Sequence, residues 1–144
     1  MGDEPNVGVL LFVAHRAMEQ RVLAAVTKAG FDVTVAQCRV FARIAPEGNR
    51  LTELAEMAQV TKQTAGFLVD QLEKRDFVER VPDPTDARAR LVRIAPRGRA
   101  AQAVAAYVEA EVEAEWTRHL GAREMERLRG SMRRLREITD PYGP

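Results

Sequence analysis

The hydrophobic period shortens over a single stretch of this chain, and the place where it does so leaves few folds open. Residues 52–58 form a short amphipathic segment with Leu54, Ala55 and Ala58 on one face. Thr61 follows as a cap for a second helix running to about residue 75, with an apolar face of Ala65, Leu68, Val69 and Leu72. The period then shortens. Residues 77–81 and 90–94 are β-rich and roughly alternating, with Pro82-Asp83-Pro84-Thr85-Asp86 between them. That pattern predicts a hairpin with a loop of about eight residues.

The flanks are helical. Residues 7–29 are rich in Ala, Leu, Val and Met, carry no proline, and place Val9, Val13, Met18 and Val22 near helical spacing before Gly30 stops them. Thr34 and Gln37 have the spacing of a capping box, and Val33 and Cys38 that of a hydrophobic staple. A second helix is therefore predicted from Thr34 to just before Pro46-Glu47-Gly48. Pro96 suits the first turn of a fifth helix, whose stripe is Ala101, Val104, Val108, Val112 and Trp116. Gly121 and Glu124 open a last helix with Met125, Leu128, Met132 and Leu135, ended by Pro141 and the terminal Gly143-Pro144. The expected fold is mainly α (α+β), a winged helix-turn-helix with a β-hairpin wing. Residues 34–95 form the winged lobe; residues 1–33 and 96–144 form long N- and C-terminal dimerisation helices. Their apolar faces exceed what one small core can cover, which predicts a two-fold homodimer.

Composition excludes several function classes. With 22 Lys+Arg against 21 Asp+Glu, the net charge is +1, too small for a protein that holds nucleic acid by bulk charge. One cysteine and two distant histidines, His15 and His119, argue against a disulfide and against a metal site. No cofactor is implied. The longest apolar run, residues 7–14, is too short to span a bilayer. Asp3 and Glu4 stand where a signal peptide has positive charge. The expectation is a cytoplasmic protein with no membrane association. No P-loop is present, Gly98 is isolated, and the cysteine lacks a histidine partner, so no enzyme is expected.

The stretch Leu54-Ala55-Glu56-Met57-Ala58-Gln59-Val60-Thr61-Lys62-Gln63-Thr64, followed by Leu68-Val69-Asp70-Gln71-Leu72-Glu73-Lys74-Arg75 and Val78-Glu79-Arg80, resembles the DNA-binding core of the MarR (multiple-antibiotic-resistance regulator) family. The segment Asp83-Pro84-Thr85-Asp86-Ala87-Arg88-Ala89-Arg90-Leu91-Val92 resembles that family's wing signature, Asp-x-Arg followed by a strand. The resemblance covers nearly the whole chain. It implies a homodimeric bacterial transcriptional regulator, usually a repressor, on a palindromic operator in double-stranded DNA near its own gene. It also implies dimerisation through the first, fifth and sixth helices, and a small aromatic or anionic effector bound between that interface and the DNA-binding lobe.

The candidate DNA-binding residues are Thr61, Lys62, Gln63 and Thr64 at the start of the recognition helix, where side chains reach base edges, and Asp86, Arg88 and Arg90 in the wing. Residues 80–99 hold six arginines against Asp83 and Asp86, a local excess of +4 suited to phosphate and minor-groove contact. Asp86 is expected to orient the Arg88 guanidinium. Residues 118–136 carry an excess of +5, but follow Glu109, Glu111, Glu113 and Glu115, so these helices are expected to neutralise each other. Two departures from the family stand out. Gln59 occupies a turn position where many helix-turn-helix proteins have glycine, and Gly66 and Phe67 stand where many relatives have polar or basic groove-facing residues. Gly66 admits two explanations, close approach of the backbone to DNA or tight packing. Phe12, His15, Phe41 and Trp116 are the candidate ligand-binding residues. Cys38 is expected to be structural, since its staple position predicts burial. Two alternatives follow: a winged-helix interaction module with a protein partner, and a thiol redox sensor acting through Cys38.

Overall fold

A computed structural model describes residues 2–142. Helix α1 spans Val7–Lys28, α2 Val35–Phe41, α3 Leu51–Met57 and α4 Lys62–Lys74. Strands β1 (Val78–Asp83) and β2 (Asp86–Ile94) follow, then α5 (Pro96–Leu120) and α6 (Ala122–Thr139). Local chemistry sets several of these boundaries. Asn6 accepts the Val9 N–H at 3.0 Å to open α1. The capping box at α2 is complete: the Gln37 N–H reaches Thr34 Oγ1 at 3.1 Å, and the Thr34 N–H reaches Gln37 Oε1 at 3.0 Å. Thr61 Oγ1 accepts the Thr64 N–H at 3.0 Å to start α4. Helix α6 ends at Thr139 with Asp140 as its cap. Gly143 and Pro144, expected to terminate it, lie outside the described residues.

The wing differs from its expected form. The loop is not eight residues long; β1 and β2 continue outward until only Pro84 and Thr85 separate them. The antiparallel register runs from Val78↔Ile94 to Pro82↔Arg90, with an irregularity between Pro82 and Asp83. Two prolines hid the continuation. In a two-stranded sheet every strand has an open edge, where a missing N–H is tolerated. The turn closes on Asp83, whose Oδ1 accepts the Thr85 N–H at 2.8 Å and the Thr85 hydroxyl at 2.7 Å.

The core lies within the lobe. Val40, Leu54, Val69, Leu72, Phe77, Val78 and Val92 are fully buried and join α2, α3, α4 and the base of the hairpin. Asn49 extends the sheet by one bridge, exchanging backbone hydrogen bonds with Val92 at 3.0 and 2.7 Å. Gly98 locks α5 onto this core, because a Cβ there would sit 2.1 Å from the Phe77 carbonyl oxygen. The outer helices contrast sharply: α1 buries only Val26 and α6 only Met125. Apolar side chains therefore remain exposed along both, among them Val7, Phe12, Val13 and Ile138. No helix among the described residues is long and apolar enough to cross a membrane.

Candidate nucleic-acid interface and adjoining cavity

Helix α4 presents its first turn to solvent. Ala65, Leu68, Val69 and Leu72 are buried, as their spacing requires, while Thr61, Lys62, Gln63 and Thr64 are exposed. These four are not equivalent. The Thr61 hydroxyl accepts the Thr64 N–H and also bonds the Thr64 hydroxyl at 2.9 Å. Both threonines are thereby engaged in holding the helix start, which leaves Lys62 and Gln63 as the uncommitted polar side chains of that turn. The turn leading into α4 is tight. Gln59 adopts φ 59°, so the non-glycine residue is in the left-handed region at a cost of about 1–2 kcal/mol.

The six arginines of residues 80–99 separate into two groups. Arg80 bridges Asp70 and Glu73, both at 2.8 Å, and Arg93 holds Glu79 at 2.7 Å. Arg97 and Arg99 donate to the backbone carbonyls of Arg75 and Ile94. Arg88 and Arg90 are exposed and, among the described residues, have no acidic partner within 4.0 Å. The period of two puts them on the β2 face that carries buried Val92 and Ile94 at its base. Asp86 does not orient the Arg88 guanidinium as expected. Its Oδ1 accepts the Arg88 backbone N–H at 3.0 Å, the short-range bond that an aspartate two residues upstream makes most readily. The wing is braced instead by Arg50, whose Nε donates to Asp83 Oδ2 at 2.9 Å and whose Nη2 lies 3.7 Å from Asp86. That pair and the Thr85 bonds hold the Asp83 carboxyl below the usual carboxylate range, with Thr85 the larger cause.

Behind the interface lies a cavity of about 560 Å³. Helix α1 contributes His15, Met18, Glu19 and Val22; α2 contributes Gln37, Cys38 and Phe41; α5 contributes Ala101, Ala105 and Glu109. Gln59 from the α3–α4 turn completes the wall. The cavity thus touches both the long helices and the turn that aims α4. His15 and Phe41 are brought together here as expected; Phe12 and Trp116 are not. Phe12 is exposed farther out on α1. Trp116 is half-buried on α5, seven residues beyond Glu109, about 10 Å along the helix.

A family model described as the MarR family matches residues 31–89. A crystal structure of MarR superposes with a TM-score of 0.75 at 27% identity, covering 93% of this chain and 97% of that one. The chain thus shares the fold of the MarR structures and is similar to the MarR family over its winged lobe. The repressor CouR, solved bound to a 23-mer DNA duplex, matches at 26% identity and TM-score 0.69 over 90% of this chain and 92% of its own. A Mycobacterium tuberculosis MarR-family protein in complex with salicylic acid has the same fold, at 24% identity and TM-score 0.66, with 94% and 99% covered. No curated protein matches the chain.

Several cavity residues of this winged-helix protein are not marked by any motif in the sequence. Glu19 is nearly buried and receives both Nε and Nη2 of Arg39, at 2.9 and 3.0 Å, together with Arg16 and His15. Arg39 first, and Arg16 after it, outweigh burial and hold the Glu19 carboxyl at about 2. Gln37 is buried and donates to Gln71 Oε1 at 2.9 Å, linking α2 to α4. Arg43 grips Asp140 with Nη2 at 2.8 and 2.9 Å, tying the end of α6 to the turn after α2. Only the capping box drew attention to Gln37; the Glu19–Arg39 and Arg43–Asp140 pairs join residues 20 and 97 apart in sequence. Cys38 is half-buried, and burial pushes its thiol above the ordinary range, with Glu19 adding to the effect. A low-pKa reactive thiol needs the opposite setting.

Proposed function

We propose that this protein is a homodimeric transcriptional repressor that binds a palindromic operator and leaves it when a small aromatic or anionic effector enters the cavity. The observation that carries the DNA reading is the pairing of two uncommitted polar groups on α4, Lys62 and Gln63, with two unpaired arginines on the wing, Arg88 and Arg90. Gln63 suits a bidentate contact to adenine in the major groove. Arg88 suits a narrow minor groove, and Arg90 phosphate. CouR, solved bound to a 23-mer duplex, is a precedent for DNA binding by a protein similar to this one. The exposed apolar faces of α1 and α6 support a two-fold interface, which would set two recognition helices about 34–36 Å apart.

Effector control is supported by the cavity's position, since Gln59 in its wall lies two residues before the Thr61 cap of α4. Arg43 also lines the cavity, and its Nε is buried without a hydrogen-bond partner among the described residues. An anionic ligand in the cavity would lie beside the Arg43 side chain, and the salicylic acid complex of the M. tuberculosis protein is a precedent for an aromatic acid bound to a protein of this fold. The effector acts by favouring a different separation of the recognition helices. Footprinting on the DNA upstream of its own gene tests the proposal. Protection of two symmetric half-sites one helical turn apart, relieved by salicylate or a related aromatic acid, is the expected result. A folded monomer by light scattering, or protection without symmetry, would refute it.

A further inference from the structure

We propose that Phe67 is a specificity-determining residue of α4, its ring reading the C5-methyl of thymine in the major groove while Gly66 beside it lets the helix backbone approach the duplex. The proposal rests on the duplex-binding reading above and names a recognition chemistry within it. Phe67 is 62% exposed, on the outward arc of α4 four residues after Gln63 and opposite the buried face. Every other large apolar side chain left exposed among the described residues lies on α1, on α5 or beyond it, so Phe67 is alone within the winged lobe. A dimer built on the long helices does not account for it.

Gly66 supplies an independent observation. Glycine weakens a helix interior relative to alanine, so its presence needs a cause. The interior provides none, since an added Cβ would meet only Leu51 Cδ2 at 3.6 Å, an ordinary contact. Tight packing, the second explanation left open by the sequence, is therefore excluded as the cause, in contrast to Gly98. What remains is a body that approaches from outside. Phenylalanine cannot hydrogen-bond, and thymine alone among the bases offers an apolar group, its methyl, on the major-groove edge. Asp70, next along the same face, is held by Arg80 Nη2 at 2.8 Å, so its charge is countered where phosphates would pass.

The test begins with selection of duplexes from a random pool by the full-length protein. Each thymine of the selected site is then replaced by deoxyuridine, which removes the methyl and keeps the pairing. One symmetric pair of positions should weaken wild-type binding about fourfold per half-site, the worth of one buried methyl. Phe67→Ala, whose exposed side chain leaves the fold intact, should bind the two duplexes alike. Gly66→Ala should melt no lower than wild type yet bind the selected duplex more weakly. Deoxyuridine without effect at every thymine, or an unchanged thymine preference in Phe67→Ala, overturns the proposal. Unchanged duplex affinity of Phe67→Ala overturns it too and assigns the ring to a protein partner. If wild type enriches no sequence, the duplex-binding reading itself falls, and this proposal with it.

Discussion

Replacing Arg88 by alanine isolates the wing's electrostatic contribution, because the structure gives that side chain nothing else to do. Its guanidinium has no acidic partner among the described residues, and the hydrogen bond that shapes the turn uses its backbone N–H, which alanine keeps. Folding stability should therefore stay within about 0.5 kcal/mol of wild type. A two-fold dimer carries two wings, so the substitution removes two contacts per operator. At about 0.9 counterions per contact, the slope of log K against log salt should flatten by about 1.8. Between 50 and 200 mM salt, wild type should thus lose about twelvefold more affinity than the mutant does. Fluorescence anisotropy on the footprinted operator and on a scrambled duplex measures both slopes. Arg93→Ala is the control, since Arg93 is held by Glu79 at 2.7 Å and should leave the slope unchanged. Identical slopes for wild type and Arg88→Ala would refute the assignment of the wing to DNA.

Three further outcomes follow from the packing and the cavity rim. Gly98→Ala forces a Cβ to within 2.1 Å of the Phe77 carbonyl oxygen and should cost about 1–3 kcal/mol in a urea melt; an unchanged midpoint would mean that α5 can shift freely on the core. Glu19 is held at about 2 against an ordinary 4.5. A depressed carboxyl stabilises the fold above its unfolded value and loses that contribution as pH falls through the folded one, here from 4.5 toward 2. Glu19→Gln should destabilise by roughly 1–2 kcal/mol at neutral pH, discounting for the half-exposed Arg39, and the gap from wild type should close over that acid range; a gap independent of pH would show that the ion cluster is not its source. Cys38→Ser should lower the melting temperature, and peroxide should leave duplex binding of wild type and mutant alike; inactivation of wild type only would reinstate the thiol sensor.

What could be read from the sequence was what neighbours in sequence decide. The starts of α2 and α4 follow from Thr34 and Thr61, each bonding a group three residues away. The buried face of α4 follows from a 3.6-residue period, and the start of α5 from Pro96. The family resemblance rests on the same local patterns, and the matched residues, 31–89, lie mostly within that lobe. The tertiary structure decided which charges are free. Six arginines of residues 80–99 look alike in sequence, but Asp70, Glu73 and Glu79 and two backbone carbonyls engage four of them and leave Arg88 and Arg90. It also decided which aromatics share a cavity: Phe12 and Trp116 belong to the right helices but stand too far along them. The wing continued past its prolines because Asp83 found Thr85 and Arg50 as partners. Gly66 and Gly98 are the same residue in two helices, one where a Cβ would make an ordinary contact with Leu51 and one against a carbonyl oxygen. A cap or a period is set by atoms a few bonds apart, whereas a free guanidinium, a cavity wall or a forbidden Cβ is set by which distant segment folding brings alongside.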